Sequence, residues 1–257
     1  MNVSKSLPIA AAVAGLLAAV GISIKLATST NPLEVQLDEL ITRVSKPEEP
    51  TSESLKADID DLTKVANDPG FAKLPAAKQD WVRIHIADLK LLSEYLDYEK
   101  EIDQLPKLES VRSVGELSQV LQRAKQIPVP SGSTNSVVFS TRCEILAAAV
   151  PRGQKYLEDG QTLLMATDLV EKDYQKVIAA GKLVLQQKNE PNLPDRIKEV
   201  LKLAQNLKTP QKEKDKPLPG SSRLTYDTVF QMAEIENLTR EWSKLKETLE
   251  PALKSSR

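Results

Sequence analysis

Residues 163–184 read LLMATDLVEKDYQKVIAAGKLV. Within them Leu163, Ala166, Val170, Tyr174, Val177, Gly181 and Val184 recur at intervals of three and four residues. At 3.6 residues per turn that spacing places all of them on one side of an α-helix. The helix is expected to run to Gln187, with Pro151 and Gly153 kinking or breaking the chain ahead of it and Glu190-Pro191 ending it.

The rhythm extends in both directions. Upstream it is carried by Leu33, Leu37, Leu40 and Val44, and then by Leu55, Ile59, Leu62 and Ala66 after the Pro/Glu break at Lys46–Ser52. Leu74-Pro75 announces a third helix, with Pro in or near its first turn. Its main stripe reads Trp81, Ile84, Leu91, Tyr95, Tyr98, Ile102 and Leu105, with Asp88 filling one site, and Val82, Ile86, Leu89, Leu92 and Leu96 form a second apolar flank. Pro106 is expected to stop it. Val114, Leu117, Leu121 and Ala124 mark a helix ending before Pro128, and Phe139, Cys143, Leu146 and Val150 resume the phase, although Val137-Val138-Phe139 also suits a short strand. Downstream come Leu193, Ile197, Val200, Ala204 and Leu207, then Ile235, Leu238, Trp242, Leu245, Leu249 and Ala252.

Strand alternation with Gly-bearing hairpin turns is absent, as is any repeat of fixed length. The expected fold class is all-α: an N-terminal transmembrane helix followed by an antiparallel helical bundle or coiled-coil hairpin region. No segment is expected to continue past about four heptads, which argues against a fibrous rod. The organisation follows as a membrane anchor or signal segment at 1–30, a helical region at 31–128 and a connector at 129–136. A second helical region with the long helix spans 137–208, a charged Pro-rich linker 209–223, and a C-terminal amphipathic helix 224–257.

The strongest single signal for location is the apolar run Leu7–Leu26, flanked by Lys5 and closed by Lys25. As a helix it would be about 30 Å long, just enough for a hydrocarbon core. Lys25 lies near its end, where its stem reaches the headgroups. The competing reading is a cleaved secretory signal, with Ala27 and Ser29 as an imperfect cleavage pair. Ala11, Gly15, Ala19 and Ser23 form a small-residue row suited to helix pairing, but a run this rich in small residues produces such rows by chance. Lys5 against Lys25 and Arg43 gives no useful charge asymmetry, so the expected orientation, bulk of the chain extracytoplasmic, rests on how such anchors usually insert.

Lys and Arg number 35 against 36 Asp and Glu, a formal charge of −1 that lacks the basic footprint phosphate binding requires. Nucleic acid is therefore not an expected partner. Lys212, Lys214 and Lys216 alternate with Glu213 and Asp215 and read as a solvated run. Aromatic residues make up only 4% of the chain, so the core should be packed by Leu, Val and Ala. One cysteine permits no intrachain disulfide.

No phosphate-binding Gly loop and no zinc signature is present. His85, between Ile84 and Ile86, reads as a packed histidine, and Cys143 as a small hydrophobe on an apolar stripe. Asp58, Asp60 and Asp61 begin like a calcium loop, which fails at Thr63 and Pro69, and are better read as acids at a helix N-terminal turn. Glu99 and Asp103 share a helix face as many carboxylates here must. Tyr95, Tyr98, Tyr174, Trp81 and Trp242 read as core or inter-helix packing, with a ligand groove as the alternative. No catalytic, cofactor-binding or metal-binding residue is assigned. The expectation is a membrane-attached interaction module that binds a protein partner or itself. The alternatives are an exported helical carrier of a small apolar ligand and, behind it, an enzyme using helix-borne carboxylates.

Overall fold

The computed structural model describes residues 31–45, 51–187, 190–221 and 223–255. Among them the chain is all-α: α1 (Pro32–Val44), α2 (Ser52–Asn67), α3 (Ala76–Asp103), α4 (Val114–Gln126), α5 (Val137–Ala147), α6 (Ala149–Gln186), α7 (Leu193–Ala204), α8 (Pro210–Glu213), α9 (Tyr226–Phe230) and α10 (Ala233–Ser255). The only β-type pairing among the described residues is an isolated bridge between Pro217 and Thr225. The apolar run Leu7–Leu26 lies outside the described residues. Within them no helix is long and apolar enough to cross a membrane.

Contacts divide the described residues into two compact units, 31–45 with Asp60–Arg83, and 51–59 with the described residues from Ile84 onward. In the smaller unit α1 starts at a capped turn, where the Asn31 carboxamide oxygen accepts from the Leu33 N–H at 3.1 Å and Pro32 takes a position that needs no donor. Leu33, Leu37 and Leu40 of α1 are buried, as are Leu62 and Val65 of α2. Lys78 bonds both Glu34 (2.8 Å) and Asp38 (2.7 Å), half-buried, within this unit.

The larger unit is built around α6, whose 38 residues span about 57 Å. That is more than five heptads, past the expected four, and the helix includes Pro151 and Gly153, which do not break it. The break falls one step earlier, at Ala148, and Pro151 then sits in the first turn of α6, where a missing N–H costs nothing. Gly153, Gly160 and Gly181 occupy equivalent heptad positions, and each admits a neighbour. A Cβ on Gly153 would lie 2.8 Å from Ile102 Cδ1 and collide with the Tyr98 hydroxyl of α3; one on Gly160 would strike Leu121 of α4. On Gly181 it would fall 2.6 Å from Leu245 Cδ2 of α10. Three helices thus approach one face through gaps left by absent side chains.

All seven residues of the α6 stripe are buried, together with Thr167, whose hydroxyl donates to the Leu163 carbonyl at 2.8 Å. Leu117 and Leu121 of α4, Ile197 and Val200 of α7, and Ile235, Trp242 and Leu249 of α10 complete the main core. Helix direction departs from the antiparallel expectation. Tyr174 donates to the Lys208 carbonyl at 3.0 Å, so α7 runs back along α6 as a hairpin. Thr167 then meets Met232, Lys182 meets Glu241, and Gly181 faces Leu245, so α10 climbs in the same sense as α6.

The return that makes this possible is the stretch expected as a charged linker, 209–223. Its lysines are exposed, but Leu218 is buried in the core, and its N–H donates to the Leu224 carbonyl at 2.9 Å. Gly220, at φ 81°, turns the chain between them in a conformation that favours glycine. Tyr226, Thr228, Val229 and Phe230 of α9 are buried as well. Val137-Val138-Phe139 opens α5, in keeping with the helical phase expected from Phe139 onward and not with the alternative of a short strand. In α3 both expected flanks contribute buried residues, Leu91 and Tyr98 from the first and Val82, Leu89 and Leu92 from the second, whereas Trp81 is half-buried and Ile84 is exposed.

Candidate functional site

The one histidine and the one cysteine are brought to the same neighbourhood. His85 and Asp88 lie three residues apart on α3, and the His85 ring meets Phe139 of α5 edge-on at 5.6 Å between centroids. Asp88 is buried, accepts at 3.0 Å from the Asn135 N–H, and leaves its second oxygen without a hydrogen-bond partner in the structure. Burial pushes the Cys143 thiol up, and the nearby Asp88 charge pushes it further in the same direction. A nucleophilic cysteine needs the opposite electrostatics, a cation that stabilises thiolate. The arrangement therefore holds a protonated thiol in a core. The juxtaposition itself was not legible from the sequence, since Asp88 and Cys143 are 55 positions apart.

Three of the carboxylates singled out in the sequence are likewise engaged. Glu99 and Asp103 both face Arg152 of α6, at 3.0 and 3.5 Å. Asp61 is bound by Arg43 at 2.7 Å and Lys64 at 3.0 Å, which hold its carboxyl below the ordinary range. Asp58, Asp60 and Asp61 sit in the middle of α2, not in its first turn, and among the described residues no group of three His, Cys, Asp or Glu side chains is placed to hold a metal ion. The start of α2 is capped instead by Thr51 and Ser54, which exchange side-chain and backbone hydrogen bonds at 3.1 and 3.0 Å.

The aromatic residues do not converge on a groove. Tyr98 packs with Leu105, Ala124, Ile127 and Ala149, while Tyr174 and Trp242 belong to the main core. Tyr156 donates to the Pro106 carbonyl at 2.6 Å, and burial, with the Glu109 charge behind it, pushes its hydroxyl up to about 12. An open cleft is lined by Thr51, Ser52, Glu53, Leu96, Glu99, Lys100 and Asp103. Only Leu96 among these is apolar, so the cleft has the wrong lining for an apolar ligand.

The surface that stands out is the outer side of α6, away from its glycines. Met165, Leu169 and Leu183 are 59, 61 and 50% exposed. They fall on the line 158, 162, 165, 169, 172, 176, 179, 183, which alternates intervals of four and three, so the long helix carries a second seam opposite its buried one. Glu158 and Lys176, on the same line, are exposed and make no ion pair among the described residues, whereas Lys172 is held by Asp168 at 2.7 Å. A helix of another chain would find apolar and charged side chains on this seam. Comparison of the chain with protein-family models, with curated proteins and with solved structures gives no match.

Proposed function

We propose that the chain is a single-pass membrane protein, anchored through Leu7–Leu26, whose all-α region acts by binding another protein or a second copy of itself. The observation that carries this reading is the exposed, heptad-spaced row on α6, joined to a chain that also contains a membrane-length apolar run. The bulk of the chain lies on the extracytoplasmic side. The chemistry-bearing groups support a non-catalytic role: the thiol is held protonated, and the Glu99/Asp103 pair is matched by Arg152. The carrier reading needs an enclosed apolar cavity, and the polar cleft beside Leu96 gives it no support.

Protease treatment of a C-terminally tagged protein, in intact cells and in opened membranes, tests the anchoring and the side together. The expected result is a full-length band in the membrane fraction that protease degrades from outside. A shortened band released into the soluble fraction would move the weight to an exported protein, and cleavage only from the cytoplasmic face would overturn the topology.

A further inference from the structure

We infer that the outer seam of α6 binds the same seam of a second copy, antiparallel, about a two-fold axis at residue 167; this rests on the interaction reading above and names its partner. The inference comes from register. With the axis at 167, Met165 of each copy meets Leu169 of the other, so the four most exposed apolar side chains of the two helices close the centre of the pair. Nine residues out on each side, Glu158 faces Lys176, the two seam charges that have no ion pair within the described chain. Farther out, the exposed Pro151 faces the exposed Leu183. The layer between centre and ion pair sets Thr162 opposite Lys172, a polar contact without repulsion.

Other arrangements lose this match. Sliding one copy by a heptad in either direction sets Glu158 against Leu169 or Leu183. A parallel pair in register stacks Glu158 on Glu158 and Lys172 and Lys176 on their own copies, which like-charge repulsion opposes. An isologous contact of this kind also closes on itself, giving a dimer and no filament. The inner stripe of α6 is consumed by the core, so of the two stripes on this helix the outer one is free to play this part.

The test uses the full chain in mild non-ionic detergent. The account expects concentration-dependent dimerisation by sedimentation, and a loss of roughly tenfold or more in association for Leu169→Lys, with helicity unchanged. Glu158→Lys weakens the dimer and Glu158→Lys with Lys176→Glu restores it. Geometry is read by oxidation: the double variant Glu158→Cys, Lys176→Cys forms a disulfide-linked dimer, while neither single variant does. In the singles, like positions lie about 27 Å apart along the axis. The unaltered chain, with only the buried Cys143, is the blank. Single variants that cross-link as well as the double would overturn the antiparallel register. A dimer without the 158–176 product would place self-association elsewhere, for instance in the apolar run Leu7–Leu26. A chain monomeric at every concentration would sink the inference, yet the broader interaction reading fails only if cross-linking in membranes also captures no other protein.

Discussion

The inner and outer faces of α6 are written in the same rhythm and have opposite fates. On the inner face Leu163, Ala166, Val170, Tyr174, Val177, Gly181 and Val184 are all buried, and the glycines at 153, 160 and 181 let α3, α4 and α10 approach closely. On the outer face Met165, Leu169 and Leu183 keep half or more of their surface in solvent, among charges of which Glu158 and Lys176 make no ion pair among the described residues. Heptad spacing alone does not distinguish a core from a docking seam. The difference lies in the residues between: small ones where a helix of the same chain enters, charged ones on the side proposed above to meet a partner, where they would select it.

The largest expected effect comes from emptying the inner face. Leu163→Ala removes a fully buried side chain and should destabilise the larger unit by about 3 kcal/mol in denaturant unfolding. Filling the inner face is the next test. Gly153→Ala drives a methyl into the rigid Tyr98 ring and Ile102, and should cost about 1–2 kcal/mol even after the gain in helix propensity. Gly160→Ala meets only the flexible end of Leu121 and should come out within about 1 kcal/mol of zero, a contrast measurable in one melting series. If both glycines tolerate alanine equally, the close approach of α3 is not what the glycine at 153 is for.

Outside α6 the effects shrink. In the smaller unit Lys78 is half-buried between Asp38 and Glu34. Burial lowers its proton affinity, but the bonds to the two carboxylates outweigh that and hold it above the ordinary 10.5. A raised value means stability fully present below 10.5 and lost as pH rises through the raised value. Lys78→Met should therefore loosen α1 by about 1 kcal/mol at neutral pH, read as faster amide exchange, and should erase the alkaline loss seen in the unaltered chain. The smallest effect belongs to the outer seam: Leu169→Lys should change folding stability by less than about 0.5 kcal/mol while weakening association roughly tenfold or more. Cys143 supplies a separate check on the core beside α3. With its thiol pushed up by burial and by Asp88, it should resist alkylation at neutral pH in the folded chain and react fully once unfolded.

Much of this fold was legible before any coordinate. The α6 stripe, the positions of α1, α2, α4 and α7, and the alternation along α10 follow from apolar spacing, because each of those helices has one dominant face. In α3 two apolar flanks compete at nearly equal strength, so the sequence does not decide between Trp81/Ile84 and Val82/Leu89, and the packing does. Helix direction is not encoded in spacing at all. That α10 runs parallel to α6 depends on the long return through Leu218, Gly220 and α9, where composition shows mostly charge and proline. The meeting of Asp88 with Cys143 is equally invisible, being set by how α5 folds back on α3. The outer seam was present in the sequence but masked, since Met165, Leu169 and Leu183 sit within a stretch whose stronger stripe explains the helix by itself.

The central claim is that an anchored chain uses the outer seam of α6. A photoreactive residue at position 169 of the full-length chain, activated in cells and followed in the membrane fraction, addresses it most directly, with the exposed position 214 as the control. The account predicts an adduct at twice the mass of the chain from 169, none from 214, and all of it membrane-bound. No adduct from 169, or a protein recovered wholly in the soluble fraction, would contradict it.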